Sequence, residues 1–346
     1  MTASVVSAPP HAGALAQATA PAAADDVATV LYAEWCLEGT LHPIAGERDS
    51  NFRLETTSGR YLVKVTHPHE SLAAVDAQSA VLGHLLHTDP TLPVQVPVAT
   101  HTGAARVVYP PDPRRWVRVV RYLEGELRRT FPWQDGLAVQ IGSLAGRLDR
   151  ALHRFEHPGC QQALLWDLTR ASELTALLPV LGKDDVGSAV RSALDRFTSH
   201  QQMLARCPVQ AIHNDLNPSN LLLANDGRQV SGVIDFGDML VAPAVVELAV
   251  ACAYLTDAPD PIGAIGDCAA AYVAEWPLAG SVIAALPDLV ATRWAMTILI
   301  TEWRAQLQPE NAAYILRNNL ASRRGLSLLD ERGRARLVAR LQDLTA

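Results

Sequence analysis

The chain has 346 residues, enough for two domains or for one large domain with two lobes, and 49% hydrophobic with 19% charged residues is the composition of a packed globular protein. Its 29 basic against 36 acidic residues give a net charge of −7, a sign that repels phosphate backbones and anionic lipid, so neither nucleic acid nor a membrane is expected as a partner. No apolar run of 18 or more residues free of charges, Pro or Gly stands out, so no transmembrane helix is expected.

The first 26 residues are rich in Ala, Pro, Ser and Thr, without a basic start or a Leu-rich stretch, and read as a disordered tail rather than a secretory signal. Folding signals begin near Asp26 with a capped helix. Two β-rich runs, Ser50–Thr56 and Tyr61–Thr66, flank Thr57-Ser58-Gly59 and predict a hairpin. Residues Leu72–Leu86 carry Val75, Ser79, Leu82 and Leu86 at helical spacing. Short strands follow, the strongest over Trp116–Leu123, and Leu123-Glu124-Gly125 is the natural boundary between a sheet-rich part, 27–123, and a helical part, 124–346. In the second part Ile141, Leu144, Leu148, Leu152 and Phe155 form one buried stripe. Further helices are expected over 187–206, 243–257, 262–276, 287–306 and 328–344, with two β-like pieces around 220–224 and 229–236. The five cysteines, Cys36, Cys160, Cys207, Cys252 and Cys268, are odd in number and lack CxxC spacing, which fits reduced cytoplasmic thiols used mostly as core fillers. Arg114-Arg115 and Arg128-Arg129 read as solvated surface patches, and Trp294 and Trp303 as core.

Two segments carry chemistry. In His213-Asn214-Asp215-Leu216-Asn217-Pro218-Ser219-Asn220, Pro218 forces a loop in which a carboxylate and an amide oxygen can converge. Fifteen residues later a short apolar strand delivers Asp235-Phe236-Gly237-Asp238, a common way to hold a hard cation. Each alone could be an Asx-turn or a helix cap; the ordered pair at this spacing is much more specific.

The pair HxDxxxxN and IDFGD resembles the catalytic loop and metal-binding strand end of the aminoglycoside phosphotransferase and choline kinase-like family, within the protein-kinase-like superfamily. The resemblance covers residues 27–345. It implies an α+β, bilobed kinase-like fold, with a nucleotide-binding N-lobe (27–123) and a C-lobe (124–346) carrying the catalytic loop, metal and substrate. It further implies an ATP-dependent phosphotransferase with an alcohol acceptor. Asp215 would be the catalytic base; Asn220 and Asp235 would hold Mg²⁺ on the phosphates of ATP, or of GTP. Lys64, alternating with Val63 and Val65 on a strand, would orient the phosphates. Ser50 and Asn51 stand in the phosphate-side turn Gly46–Asn51, since no GxGxxG is present, and Arg121 and Leu123 at the hinge that would receive the base. Where the family carries a Glu to hold the lysine, this chain has Gln78, leaving Asp76, Glu70 or a hydrogen bond to replace it. Glu247 stands where relatives often have Asp.

Within the family, the segments after Asp235 and around 292–316 look most like the hydroxylysine kinase and homoserine kinase-like subgroup. A hydroxylated amino acid, 5-hydroxylysine or homoserine, is therefore the expected acceptor, with Arg293 offered to its carboxylate and Asp238 to its ammonium. An aminoglycoside or choline/ethanolamine acceptor is the alternative, and a nucleotide-binding pseudokinase is the alternative of another class. The sequence does not specify an oligomeric state.

Overall fold

The computed structural model of the protein describes residues 19–46, 48–182 and 184–344. Residues 1–18 of the expected tail, and Glu47 of the phosphate-side turn, lie outside the described residues. The tail expected to run to residue 26 is already packed at its end: Ala22 is buried and donates its N–H to Ser50 Oγ at 2.9 Å, and Ala20 O receives Arg115 Nη1. The first helix, α1, spans Ala24–Trp35, with Asp25 and Asp26 in its first turn where the helix dipole favours anions.

An antiparallel sheet follows, built from β1 (Thr40–Ile44), β2 (Ser50–Thr56), β3 (Gly59–Val65), β4 (Pro97–Val98), β5 (Val107–Val108) and β6 (Trp116–Arg121). Its order is β1-β2-β3-β6-β4, with β5 on the free part of β6. The predicted hairpin is β2–β3, in register from Ser50↔Val65 to Thr56↔Gly59. Strict alternation along β3 buries Tyr61, Val63 and Val65 against Val27, Leu31, Phe52 and Val117, and turns Lys64 to the opposite face. Helix α2 (Leu72–Thr88) is capped by Ser71, whose Oγ accepts the Ala74 N–H. Its apolar face, Ala77, Val81, Leu82 and Leu85, joins the core of the helical lobe rather than that of the sheet.

The chain leaves the first sheet after Arg121 and enters a second one at β7 (Glu126–Leu127), which pairs with β9 (Leu221–Leu223) beside β10 (Val230–Val233). Gly125 makes this crossing at φ +135°, where a Cβ would lie 2.7 Å from Leu223 O; only glycine adopts that conformation so close to another backbone. The helical lobe then contains α3 (Leu137–Leu152), a 3-10 segment over Leu168–Val180, α4 (Asp185–Leu204), β8 (Val209–Ile212), β11 (Leu240–Pro243), α5 (Val245–Ala253), α6 (Pro261–Glu275), α7 (Gly280–Ile283), α8 (Leu286–Leu307), α9 (Ala312–Ile315), α10 (Asn319–Leu328) and α11 (Glu331–Gln342). The molecule is thus a bilobed α+β fold, with a sheet-rich lobe over a helical one.

Several expectations shift. The helix expected at 328–344 is α11, which starts at Glu331 with Asp330 accepting the Gly333 N–H, and α10, ending at Leu328 just before it, was not expected. Arg115 and Arg128, expected as surface charges, are 4% and 3% exposed. Arg115 donates to Thr66 O and Ser50 Oγ, and Arg128 to Asp257, so their charges are spent inside the fold. Of the cysteines, Cys160, Cys252 and Cys268 are buried, Cys207 is half-buried, and Cys36 is exposed. The segment Gly280–Leu307 is long and apolar enough to cross a membrane, but 94% of its most apolar window is buried inside the protein. There Trp294 and Trp303 are 1% exposed, each contributing roughly 1.5–3 kcal/mol of the burial that makes α8 the axis of the lobe.

Candidate active site

The loop between β8 and β9 is organised around Asp215. Asn217 Nδ2 donates to Asp215 Oδ2 at 2.8 Å, and Asn220 Nδ2 reaches both Asp215 O at 2.9 Å and Asp215 Oδ2 at 2.7 Å. Asn217 Oδ1 accepts the Ser219 N–H at 2.7 Å, closing the Asx-turn that Pro218 requires. His213 is buried and held neutral, its pKa pulled down to about 4 chiefly by that burial. Its Nδ1 accepts the Asp215 N–H, which leaves Nε2–H to donate to Ile234 O at 3.2 Å. Both ring nitrogens are thus engaged in holding the loop. From α5, Glu247 Oε2 accepts the Asn214 N–H at 2.7 Å, where Asn214 takes a left-handed φ of 65°. Burial raises the Glu247 carboxyl to about 7.

The strand β10 runs beside this loop, and Ile234 N–H donates to Asn220 O at 3.0 Å. The next residue, Asp235, sits at φ 66°, a conformation costing an L-residue on the order of 1 kcal/mol, and so leaves the strand with its carboxylate in the cleft. Lys64 Nζ lies 3.2 Å from Asp235 Oδ1, and its ammonium holds that carboxyl well below the usual range. Asp235 therefore presents a permanently ionised oxygen donor, and Asn220, its amide hydrogens committed to Asp215, presents a neutral one. Among the described residues no group of three or more His, Cys, Asp or Glu forms a metal cage. Two oxygen donors, one of them charged, suit Mg²⁺, which completes its shell with water and phosphate oxygens.

Burial raises the Asp215 carboxyl to about 7; the negative charge of Asp238 adds to the effect and Arg293 opposes it. Arg293 comes from α8, is 2% exposed, donates Nη1 to Trp166 O at 3.0 Å and places Nη2 3.6 Å from Asp215 Oδ1. Its guanidinium lies 5.0 Å from the Trp166 ring centroid. This differs from the open fork expected for a substrate carboxylate: the group is sealed behind Asp215. Asp238 is likewise engaged, with Arg48 Nη2 at 2.5 Å from its Oδ1.

On the N-lobe side, Gln78 does not meet the lysine. Its Oε1 accepts Arg118 Nη2 at 2.5 Å, and Asp76, one suggested substitute, clasps Arg106. Asp49, in the turn before β2, lies with Oδ2 3.5 Å from Lys64 Nζ. Ser50 faces away from the cleft, its Oγ taken by Ala22 N–H and Arg115. Asn51 pairs across the hairpin with Lys64 in register, its amide beneath Gly46, where a Cβ would come within 2.4 Å of Asn51 Nδ2. At the crossing, Arg121 N–H is bound to Val96 O and Tyr122 N–H to Arg60 O, while the Leu123 side chain packs over Gly232. Sequence reasoning named Lys64, Asp215, Asn220 and Asp235, which the fold brings together as two side-chain pairs, Lys64–Asp235 and Asp215–Asn220, joined through the Ile234 N–H bond to Asn220 O. It missed Arg48, Asp49, Arg118 and Trp166; the first two stood inside the Gly46–Asn51 turn, where attention fell on Ser and Asn.

An inward lysine on a small antiparallel sheet, above a loop carboxylate and a strand-end carboxylate of the helical lobe, defines a kinase-type phosphotransferase. Residues 40–280 match the phosphotransferase enzyme family, and the chain belongs to it; it is an ATP-dependent phosphotransferase acting on a hydroxyl acceptor. Among curated proteins it is 26% identical over 313 residues to the hydroxylysine kinase of Danio rerio, covering 85% of this chain and 87% of that one. It is 25% identical over 304 residues to the hydroxylysine kinase of Xenopus laevis, covering 80% and 81%. Among solved structures, a microcompartment-associated aminopropanol kinase superposes with a TM-score of 0.64 at 18% identity, covering 89% of this chain and 98% of that one. An amicoumacin kinase superposes with a TM-score of 0.63 at 14% identity, covering 94% and 93%. At these identities the two structures speak for the fold alone.

Proposed function

We propose that the protein transfers the γ-phosphoryl group of ATP to the side-chain hydroxyl of a hydroxylated amino acid, 5-hydroxylysine first and homoserine second. Asn220 and Asp235 hold Mg²⁺, which would neutralise charge on the phosphates when bound. Lys64 orients the phosphates from the opposite lobe, the Gly46–Asn51 turn covers them, and the backbone around Arg121 and Leu123 borders the base. Asp215 accepts the proton of the attacking hydroxyl at its carboxylate. A pKa near 7 suits that task, since a base poised near the working pH is both ionised and a useful acceptor. Arg293, 3.6 Å behind it, keeps the carboxylate oriented. A cytoplasmic setting, with ATP and reduced thiols, belongs to the same reading.

The observation that carries the reaction is the cluster of two pairs, Lys64–Asp235 and Asp215–Asn220, joined through the Ile234–Asn220 backbone bond, with both carboxylates in electrostatic states suited to different work. The same cluster weighs against a pseudokinase. For the acceptor, the support is similarity to hydroxylysine kinases along most of the chain. The test is a coupled ADP-release screen over hydroxylysine, homoserine, choline, ethanolamine and aminoglycosides, with ATP and GTP as donors. Turnover with hydroxylysine at least tenfold above the amines is the expected result; preference for an aminoglycoside or choline overturns the amino-acid reading.

A further inference from the structure

Only two of the chain's 29 basic residues are lysines, Lys64 and Lys183. A compact ammonium therefore stands at this strand position in a protein that uses arginine almost everywhere else, and a flexible four-carbon stem needs an anion to fix its direction. Among the described residues two carboxylates, Asp49 and Asp235, lie within ion-pair distance of it, while Glu70, named above as a possible partner, acts on it only at longer range; the two are not equivalent. Asp235 belongs to the other lobe, has a side chain 49% exposed, and carries the metal role proposed above. Asp49 belongs to the same lobe as Lys64, is 15% exposed, and lies 3.5 Å from the ammonium through Oδ2. Its other oxygen accepts the His67 N–H at 3.0 Å, so the carboxylate is anchored at both ends, two residues beyond the end of the lysine's own strand.

Helix α2 is unable to supply the anion. Gln78 is occupied by Arg118, which is 3% exposed and faces Lys64 directly across the β3–β6 ladder. With a guanidinium buried beside the ammonium, a neutral amide at 78 satisfies Arg118 and leaves the lysine to be balanced from elsewhere. We propose, resting on the phosphotransferase reading, that Asp49 is the positioning residue for Lys64, in place of the helix carboxylate. The lysine's geometry is then set by the turn that covers the phosphates, not by the position of α2. This accords with the packing of α2 into the helical-lobe core, where Val81 and Leu85 are fully buried.

The proposal is tested with Asp49→Asn, which keeps an oxygen for His67 N–H and removes the charge, beside Asp49→Glu and the control Asp76→Asn. MgATP affinity by calorimetry needs no acceptor; kcat is read with whichever acceptor turns over. Asp49→Asn is expected to weaken MgATP binding about fivefold or more and lower kcat about tenfold or more, with Tm within about 3 °C. Asp49→Glu should recover to within about threefold, and Asp76→Asn should match the wild type. In a Lys64→Met background, Asp49→Asn should have no further effect on MgATP affinity, because a residue that acts through Lys64 has nothing left to position. Additive losses in that background, or an Asp49→Asn enzyme within twofold of wild type in both measurements, overturn the proposal while the kinase reading stands. A wild-type protein that binds no MgATP removes the kinase reading and this one with it.

Discussion

The two sides of the cleft are held by different physics. On the C-lobe side, Asp215, Asn220 and Asp235 are fixed by backbone-directed hydrogen bonds within two short segments: the Asx-turn, the His213 ring bridging Asp215 N–H and Ile234 O, and the Asn220–Ile234 contact. On the N-lobe side, Lys64, Asp49, Arg48 and Arg118 are fixed by side-chain ion pairs and charge-assisted hydrogen bonds drawn from β3, β6, α2 and the turn before β2. Hydrogen bonds to the backbone join near neighbours in the chain, whereas ion pairs depend on elements that only the tertiary fold brings together. The loop at Asp215 is thus the more locally built half of the site, with Arg293 and Glu247 reaching it from α8 and α5, and the lysine side is the half built across elements.

The largest expected effect breaks the locally built half at its centre. Asp215→Asn should lower kcat by about 10²–10⁴-fold while MgATP affinity barely changes, because only the proton acceptor is lost; steady-state kinetics retaining more than about a tenth of kcat would remove Asp215 from the chemistry. Next, Asp235→Ala should abolish Mg²⁺-dependent nucleotide binding in calorimetry with the fold intact by circular dichroism, since Asn220 alone offers no charge.

A third prediction separates scaffold from chemistry. Glu247→Ala leaves the Asn214 N–H buried without its acceptor, at a cost of about 1–3 kcal/mol; a lower unfolding midpoint with a loss of kcat is expected, and an unchanged midpoint would mean that the loop holds itself. The pH profile sharpens the same contrast. Asp215, raised to about 7, must be deprotonated to act as base, so kcat/KM should rise with pH and reach half its plateau near neutrality. A profile already flat from pH 5 upward would mean an ordinary carboxylate. The smallest effect lies at the rim. Arg60 and Glu124 pair at 2.6 Å with both side chains largely in solvent, and Glu124→Gln should change unfolding free energy by about 0.5 kcal/mol or less.

What the residues alone determined was what is local. Alternation along 61–65 put Lys64 opposite the sheet core, Pro218 and the Asn spacing made the loop at Asp215, and the stripe from Ile141 to Leu152 made α3, because each pattern is satisfied within a few residues of itself; Phe155, expected on the same helix, lies past its end. The helices expected at 72–86 and 287–306 were legible for the same reason and span 72–88 and 286–307. Tertiary structure decided the partners. Arg293 shares a helical face with Thr297 and Arg304 in any reading of 291–306, but that it is sealed behind Asp215 under Trp166 depends on a segment 127 residues away. Gln78 announced a missing carboxylate without saying that Arg118 would occupy it or that Asp49 would approach the lysine. Arg115 and Arg128 looked like surface charges until Thr66, Ser50 and Asp257 were brought to them. A charge pairs with whatever the fold carries to within a few ångströms, and sequence spacing holds no record of that distance.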